Sequence, residues 1–165
     1  MGRVWKLGHN VSTDHIIPGR YNLTTDPLEL AKYCLCEARP DFSKGVRQGD
    51  IIVAGRNFGM GSSREHAPIA IKAAGVAAVI AASFARIFYR NAINIGLPIL
   101  VAPQVYDAVE DGDQVEVDLA AGLVHLGDGR TIVAEPLPPF VMEIVRAGGI
   151  VNLVRQLGRL PVGDI

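Results

Sequence analysis

The sequence predicts an α/β fold with a central, mostly parallel sheet flanked by helices, and three observations lead there. Short continuous apolar runs recur at residues 50–54, 76–81 and 97–101, the composition of strands covered on both faces. Helical patterns over 67–74 and 84–95 separate those runs, and Gly75 and Gly96 close them. Strand, helix, strand, helix, strand in that order implies parallel pairing through crossovers.

The remaining elements follow along the chain. Arg3-Val4-Trp5-Lys6-Leu7 reads as a first strand. Residues 11–25 carry Gly and Pro and read as a loop exposing Asp14, His15, Arg20 and Tyr21. Asp26-Pro27 opens a helix, with aspartate at the N-cap and proline at the first helical position; Leu28, Leu30, Ala31, Cys34 and Leu35 form its stripe until Pro40. Ser83 is placed to cap the helix over 84–95. Further on, 113–119 alternates, Ala121-Gly122 turns and 123–126 returns, which predicts a C-terminal β-hairpin, with 130–134 adding a strand. A helix over 140–145, closed by Gly148-Gly149, and a last short helix to Leu157 complete the chain. Neither a repeat nor a linker interrupts it, so a single domain over 1–165 is expected.

Composition excludes several classes of function. A net charge of −1 gives no electrostatic case for nucleic acid or an anionic membrane. The longest apolar run, 73–82, is too short to cross a bilayer. Polar residues soon follow Met1-Gly2-Arg3, no signal peptide is visible, and a cytoplasmic location is expected. The only cysteines, Cys34 and Cys36, lack the spacing and number that a metal site or iron–sulfur cluster requires, so no metal is expected in this chain. They read as packing thiols in a reducing compartment.

Chemistry concentrates in Gly55-Arg56-Asn57-Phe58-Gly59-Met60-Gly61-Ser62-Ser63-Arg64-Glu65-His66, between a strand and a helix. Ser62-x-x-Glu65 has the form of a capping box, a purely structural role. Three features favour an anion, carboxylate or phosphate, instead. Ser63 duplicates the hydroxyl, Arg64 opposes the helix dipole, and the glycines permit close backbone approach. A P-loop would need a lysine after the glycines, and a dinucleotide fingerprint a third glycine at fixed spacing; both are missing. His9, His15, His66 and His125 are too scattered for a metal site, and His125 reads as structural. Arg86 and Arg90, one helical turn apart, read as a solvated face able to add positive charge near the anion.

Three stretches taken together, Ser12-Thr13-Asp14-His15-Ile16-Ile17-Pro18-Gly19-Arg20-Tyr21, the 55–66 loop and Ser83-Phe84-Ala85-Arg86-Ile87-Phe88-Tyr89-Arg90-Asn91-Ala92, resemble the small subunits of 3-isopropylmalate dehydratases in the aconitase superfamily. The resemblance covers essentially the whole chain. It implies the β/β/α swivel-domain fold of that superfamily. It also implies a large-subunit partner, in a heterodimer or heterotetramer, that carries a [4Fe–4S] cluster acting as Lewis acid on the leaving hydroxyl. Position by position, Ser62 matches the serine that takes the proton from carbon, and Ser63 and Arg64 match residues that hold a substrate carboxylate. Thr13 and Asp14 match polar active-site residues. In the loop Tyr21-Asn22-Leu23-Thr24, Leu23 stands about where relatives acting on tricarboxylates place an arginine, and leucine suits an isopropyl group. The implied activity is a hydro-lyase interconverting 2- and 3-isopropylmalate in leucine biosynthesis. The alternatives are the same chemistry on homoaconitate or another alkylmalate such as dimethylmalate, and, from a different class, a stand-alone carboxylate-binding module.

Overall fold

The structure, a computed structural model, describes residues 1–158; the end of the predicted 1–165 domain lies outside the described residues. In chain order the strands are β1 (Gly2–Lys6), β2 (Ile51–Ala54), β3 (Ala78–Ala81), β4 (Ile99–Val101), β5 (Gln114–Asp118), β6 (Leu123–Leu126) and β7 (Thr131–Val133). The helices are α1 (Thr13–Ile16), α2 (Pro27–Lys32), α3 (Phe42–Gly45), α4 (His66–Ala73), α5 (Arg86–Asn94), α6 (Pro103–Ala108), α7 (Pro139–Ala147) and α8 (Ile150–Leu157).

All strands join one seven-stranded sheet in the order β4-β3-β2-β1-β5-β6-β7. β1 to β4 are mutually parallel, and β5 turns the sheet antiparallel by pairing Gly2 with Val115 and Arg3 with Gln114. The expected hairpin and its added strand are therefore β5–β7, a continuation of the main sheet.

Why the parallel strands read as unbroken apolar runs is visible in the core. Ile52 and Ala54 of β2 and Val79 and Ala81 of β3 face a cluster shared with α2, α4, α5, α7 and α8. Their neighbours Ile51, Val53, Ala78 and Ile80 face a second cluster with Val105 of α6. Val115, Val124 and Leu126 join that second cluster, so the antiparallel ribbon curls over the underside of the parallel strands. The result is helix, sheet, sheet, the expected β/β/α layering.

Several local expectations are corrected. Residues 11–25 are not simply loop: Ser12 caps α1 by accepting from His15 N–H, while Ser12 N–H donates to His15 Nδ1 (both 3.0 Å). α2 starts as expected, with Asp26 Oδ1 accepting from Leu28 N–H at 3.1 Å and Pro27 at its first position. It ends at Lys32, earlier than Pro40, because the chain turns and passes Leu35 at φ 57. Ser83 does not cap α5, whose N-cap is Ala85; its Oγ accepts from Asn57 N–H at 2.8 Å instead. α3 and α6 were not foreseen.

Candidate functional site

The glycine loop after β2 is stitched to the segments that follow β1 and β3. On one side Gly59 N–H donates to Val11 O (2.7 Å) and Thr13 N–H to Met60 O (2.8 Å). On the other, Phe58 N–H donates to Ser83 O (3.0 Å) and Ala85 N–H to Phe58 O (2.9 Å). The site therefore sits beyond the C-terminal ends of three neighbouring parallel strands, where open α/β sheets gather ligand-binding loops.

Of the glycines, two serve packing. A side chain at Gly55 would collide with the His9 ring, and one at Gly59 (φ 86) with the Phe88 ring. Only Gly61 (φ 108) lies against a predicted site residue, 3.3 Å from Thr13 Oγ1 for an added Cβ. Close backbone approach to a ligand thus explains Gly61 at most.

Ser62, Ser63 and Arg64 are exposed and precede α4, whose N-cap is Glu65 without a side-chain cap bond. The structural alternative, a capping box of Ser62 and Glu65, is absent, because Ser62 Oγ accepts from Arg64 N–H (3.1 Å), a local turn ahead of the helix. Thr13 is buried, and its Oγ1 accepts from Ser62 N–H at 3.0 Å. Asp14 Oδ1 accepts from Gly19 N–H, also at 3.0 Å.

These contacts frame a cavity of about 170 Å³ whose wall includes Thr13, Asp14, Asn22, Ser62, Arg64 and His66. Four of the six predicted site residues therefore meet at one place. Ser63 is not on that wall; its carbonyl accepts from Asn91 Nδ2 at 2.9 Å, which ties the loop to α5. Leu23 is also outside it, 96% exposed at the tip of its loop. Arg86 and Arg90 line a different, larger groove of about 710 Å³ beside α7, walled by Phe84, Ile93 and Phe140. That groove contains none of the predicted site residues, four of which line the smaller cavity.

The loop ahead of Leu23 is braced. Tyr21 stacks on Tyr33 (centroids 4.0 Å apart, planes at 4°), and the Arg20 guanidinium lies over the Tyr21 ring, 4.6 Å from its centroid, while pairing with Glu37. Asn22 and His66 were not singled out as site residues. The available signal for His66 was its place directly after the Ser-Ser-Arg-Glu run, and for Asn22 its place beside Leu23.

Among the described residues no group of three or more His, Cys, Asp or Glu is arranged to hold a metal ion. Cys34 is fully buried, and burial pushes its thiol well above the usual cysteine range; Cys36 is half-buried and shifted the same way. The residues present do not fit an iron–sulfur cluster. No helix among the described residues is long and apolar enough to cross a membrane.

Known proteins share the sequence and fold of this chain over nearly its whole length. The sequence model of the aconitase C-terminal domain family matches residues 18–104. The 3-isopropylmalate dehydratase small subunit 1 of Methanopyrus kandleri is 58% identical over 95% of this chain and 93% of its own length. The small subunit from Thermodesulfovibrio yellowstonii is 53% identical over 99% and 97%. The crystal structure of 3-isopropylmalate dehydratase (leuD) from Methanocaldococcus jannaschii superimposes with a TM-score of 0.90 at 51% identity, covering 95% of this chain and 93% of that one. With that likeness running the length of the fold, the chain belongs to the family of 3-isopropylmalate dehydratase small subunits, within the aconitase superfamily.

Proposed function

We propose that this chain is the small subunit of a cytoplasmic hydro-lyase that interconverts 2- and 3-isopropylmalate through isopropylmaleate, in leucine biosynthesis. It works only when a large subunit, in a heterodimer or heterotetramer, covers the exposed edge of the cavity. The [4Fe–4S] cluster belongs to that large subunit, since the cysteines of this chain do not suit one.

Ser62 takes the proton from the substrate carbon in the dehydration direction and returns it on hydration. A serine hydroxyl is a very weak acid, so the role demands strong stabilisation of the alkoxide. The observation that carries the assignment is the Arg64 N–H donated to Ser62 Oγ at 3.1 Å, because a hydrogen bond to the charged form favours it. The Arg64 guanidinium on the same wall adds positive charge and holds a substrate carboxylate, with Ser63 assisting once the partner closes the site. Thr13 fixes the position of Ser62 through its backbone N–H, and Asp14 orients the 13–19 turn. Leu23, projecting from the braced loop, packs on the isopropyl group in the assembled enzyme, a contact of about 1–3 kcal/mol.

The test is anaerobic reconstitution with the large subunit, assayed on isopropylmalate, homoaconitate and dimethylmalate side by side. Turnover of isopropylmalate that falls by orders of magnitude in Ser62→Ala, with assembly intact, supports the reading. Preference for another malate moves the substrate assignment. Near-normal turnover by Ser62→Ala removes the base. Persistent isolation of this chain with tight binding of a free carboxylate favours a binding module.

A further inference from the structure

Three of the four histidines use Nδ1 within the fold. His9 Nδ1 accepts from Arg56 N–H at 2.8 Å, His15 Nδ1 from Ser12 N–H at 3.0 Å, and His125 Nδ1 lies 3.0 Å from Thr131 Oγ1. His66 differs: its Nδ1 is buried with no hydrogen-bond partner in the protein. Asn22 Oδ1 is in the same condition. Buried polar atoms are almost always satisfied, because leaving one unmatched costs stability. Both orphans belong to residues on the wall of the cavity that also holds Thr13, Asp14, Ser62 and Arg64. The side chains that carry these two unmatched atoms line the same small cavity, which marks Asn22 and His66 as groups that a ligand there can satisfy.

We propose that His66 and Asn22 are substrate-binding residues with different assignments. The inference rests on the isopropylmalate reading above. His66, as the Nδ1–H tautomer, donates to the carboxylate that Arg64 holds. The Asn22 amide oxygen can take only a hydrogen-bond donor, and the one donor a malate dianion offers is its hydroxyl. Asn22 therefore recognises the hydroxyl that is lost in dehydration, and it has no partner of that kind on isopropylmaleate.

The experiment uses the small subunit reconstituted with its cluster-bearing large subunit, and compares KM for 3-isopropylmalate with KM for isopropylmaleate in the hydration direction. His66→Gln moves the ring's donor away from the Nδ1 position, and we expect KM to rise roughly 10- to 100-fold for both substrates. His66→Asn keeps an N–H near that position and should remain within about threefold of the native enzyme. Asn22→Leu should raise KM for 3-isopropylmalate by about tenfold or more while leaving isopropylmaleate nearly unchanged. Co-elution with the large subunit and the melting temperature report folding; if His66→Gln does not assemble, His66→Ala provides the same comparison with His66→Asn.

An unchanged KM in both His66→Gln and His66→Ala overturns the histidine assignment. Equal effects of Asn22→Leu on both substrates overturn the hydroxyl assignment. A native pair inactive on isopropylmalate instead removes the underlying function, and that result is seen before any variant is made.

Discussion

Replacing Gly59 by alanine tests whether the glycines of the loop are structural wedges or ligand contacts. Gly59 sits at φ 86, a left-handed conformation that costs an L-residue about 1–2 kcal/mol. Its added Cβ would also strike the Phe88 ring, which is buried and packed edge-on against Phe58 at 5.2 Å, so it cannot swing into solvent. Forcing a methyl into such a core costs about 1–3 kcal/mol more. The sum, about 2–5 kcal/mol, corresponds to a fall in melting temperature of about 4–20 °C in a chain of this size. Gly61→Ala is the internal control. It carries the φ strain (φ 108), but its nearest neighbour, Thr13 Oγ1, is 3.3 Å away, so its loss should be about 1–2 kcal/mol. Its effect should fall instead on turnover, because the Thr13–Ser62 bond lies beside it. Thermal melts of the isolated subunit, read beside turnover of the reconstituted enzyme, separate the two. A Gly59→Ala protein melting within about 2 °C of the native one would refute the wedge.

Two further perturbations follow from charge and burial. Arg39 grips Asp111 with two bonds of 2.7 and 2.6 Å, and this contact holds the Asp111 carboxyl below its ordinary range. The stabilisation is therefore complete above the ordinary carboxylate range and is lost as pH falls through the depressed value. The pair is partly exposed, so melts of Asp111→Asn and native protein should differ by about 1 kcal/mol or less at neutral pH and converge in acid; a difference that grows in acid would contradict this. Cys34, buried and with a raised thiol pKa, should resist alkylation in the folded protein while Cys36 reacts slowly. Peptide mass mapping after limited labelling measures the order, and Cys34 labelling first would contradict the packing.

The parallel half of the sheet was legible because β2, β3 and β4 are short and apolar and the helices between them end just before Gly75 and Gly96. The entry of α2 was equally plain from Asp26-Pro27. α1 was hidden because its box uses His15 where a glutamate or glutamine is the usual signal. α6 was missed although Pro103 occupies its first position, since only a single turn of apolar pattern follows. That β5 pairs with β1 could not be read locally, because the contact joins residues more than a hundred positions apart. At the cavity, residue type and order single out Ser62 and Arg64, which lie on one wall with Thr13 and Asp14. The Thr13–Ser62 bond and the unmatched atoms of Asn22 and His66 exist only once three separate loops are brought together.

The stacked tyrosines at positions 21 and 33 have a wider consequence. They hold the base of a bend whose outermost residue, Leu23, is 96% exposed and touches nothing needed for folding. A mutation at that tip is nearly free of thermodynamic penalty in the isolated subunit. With Leu23 in the substrate-contacting role proposed above, exchange of the tip residue would retune which acid the enzyme prefers, with the scaffold indifferent to the outcome.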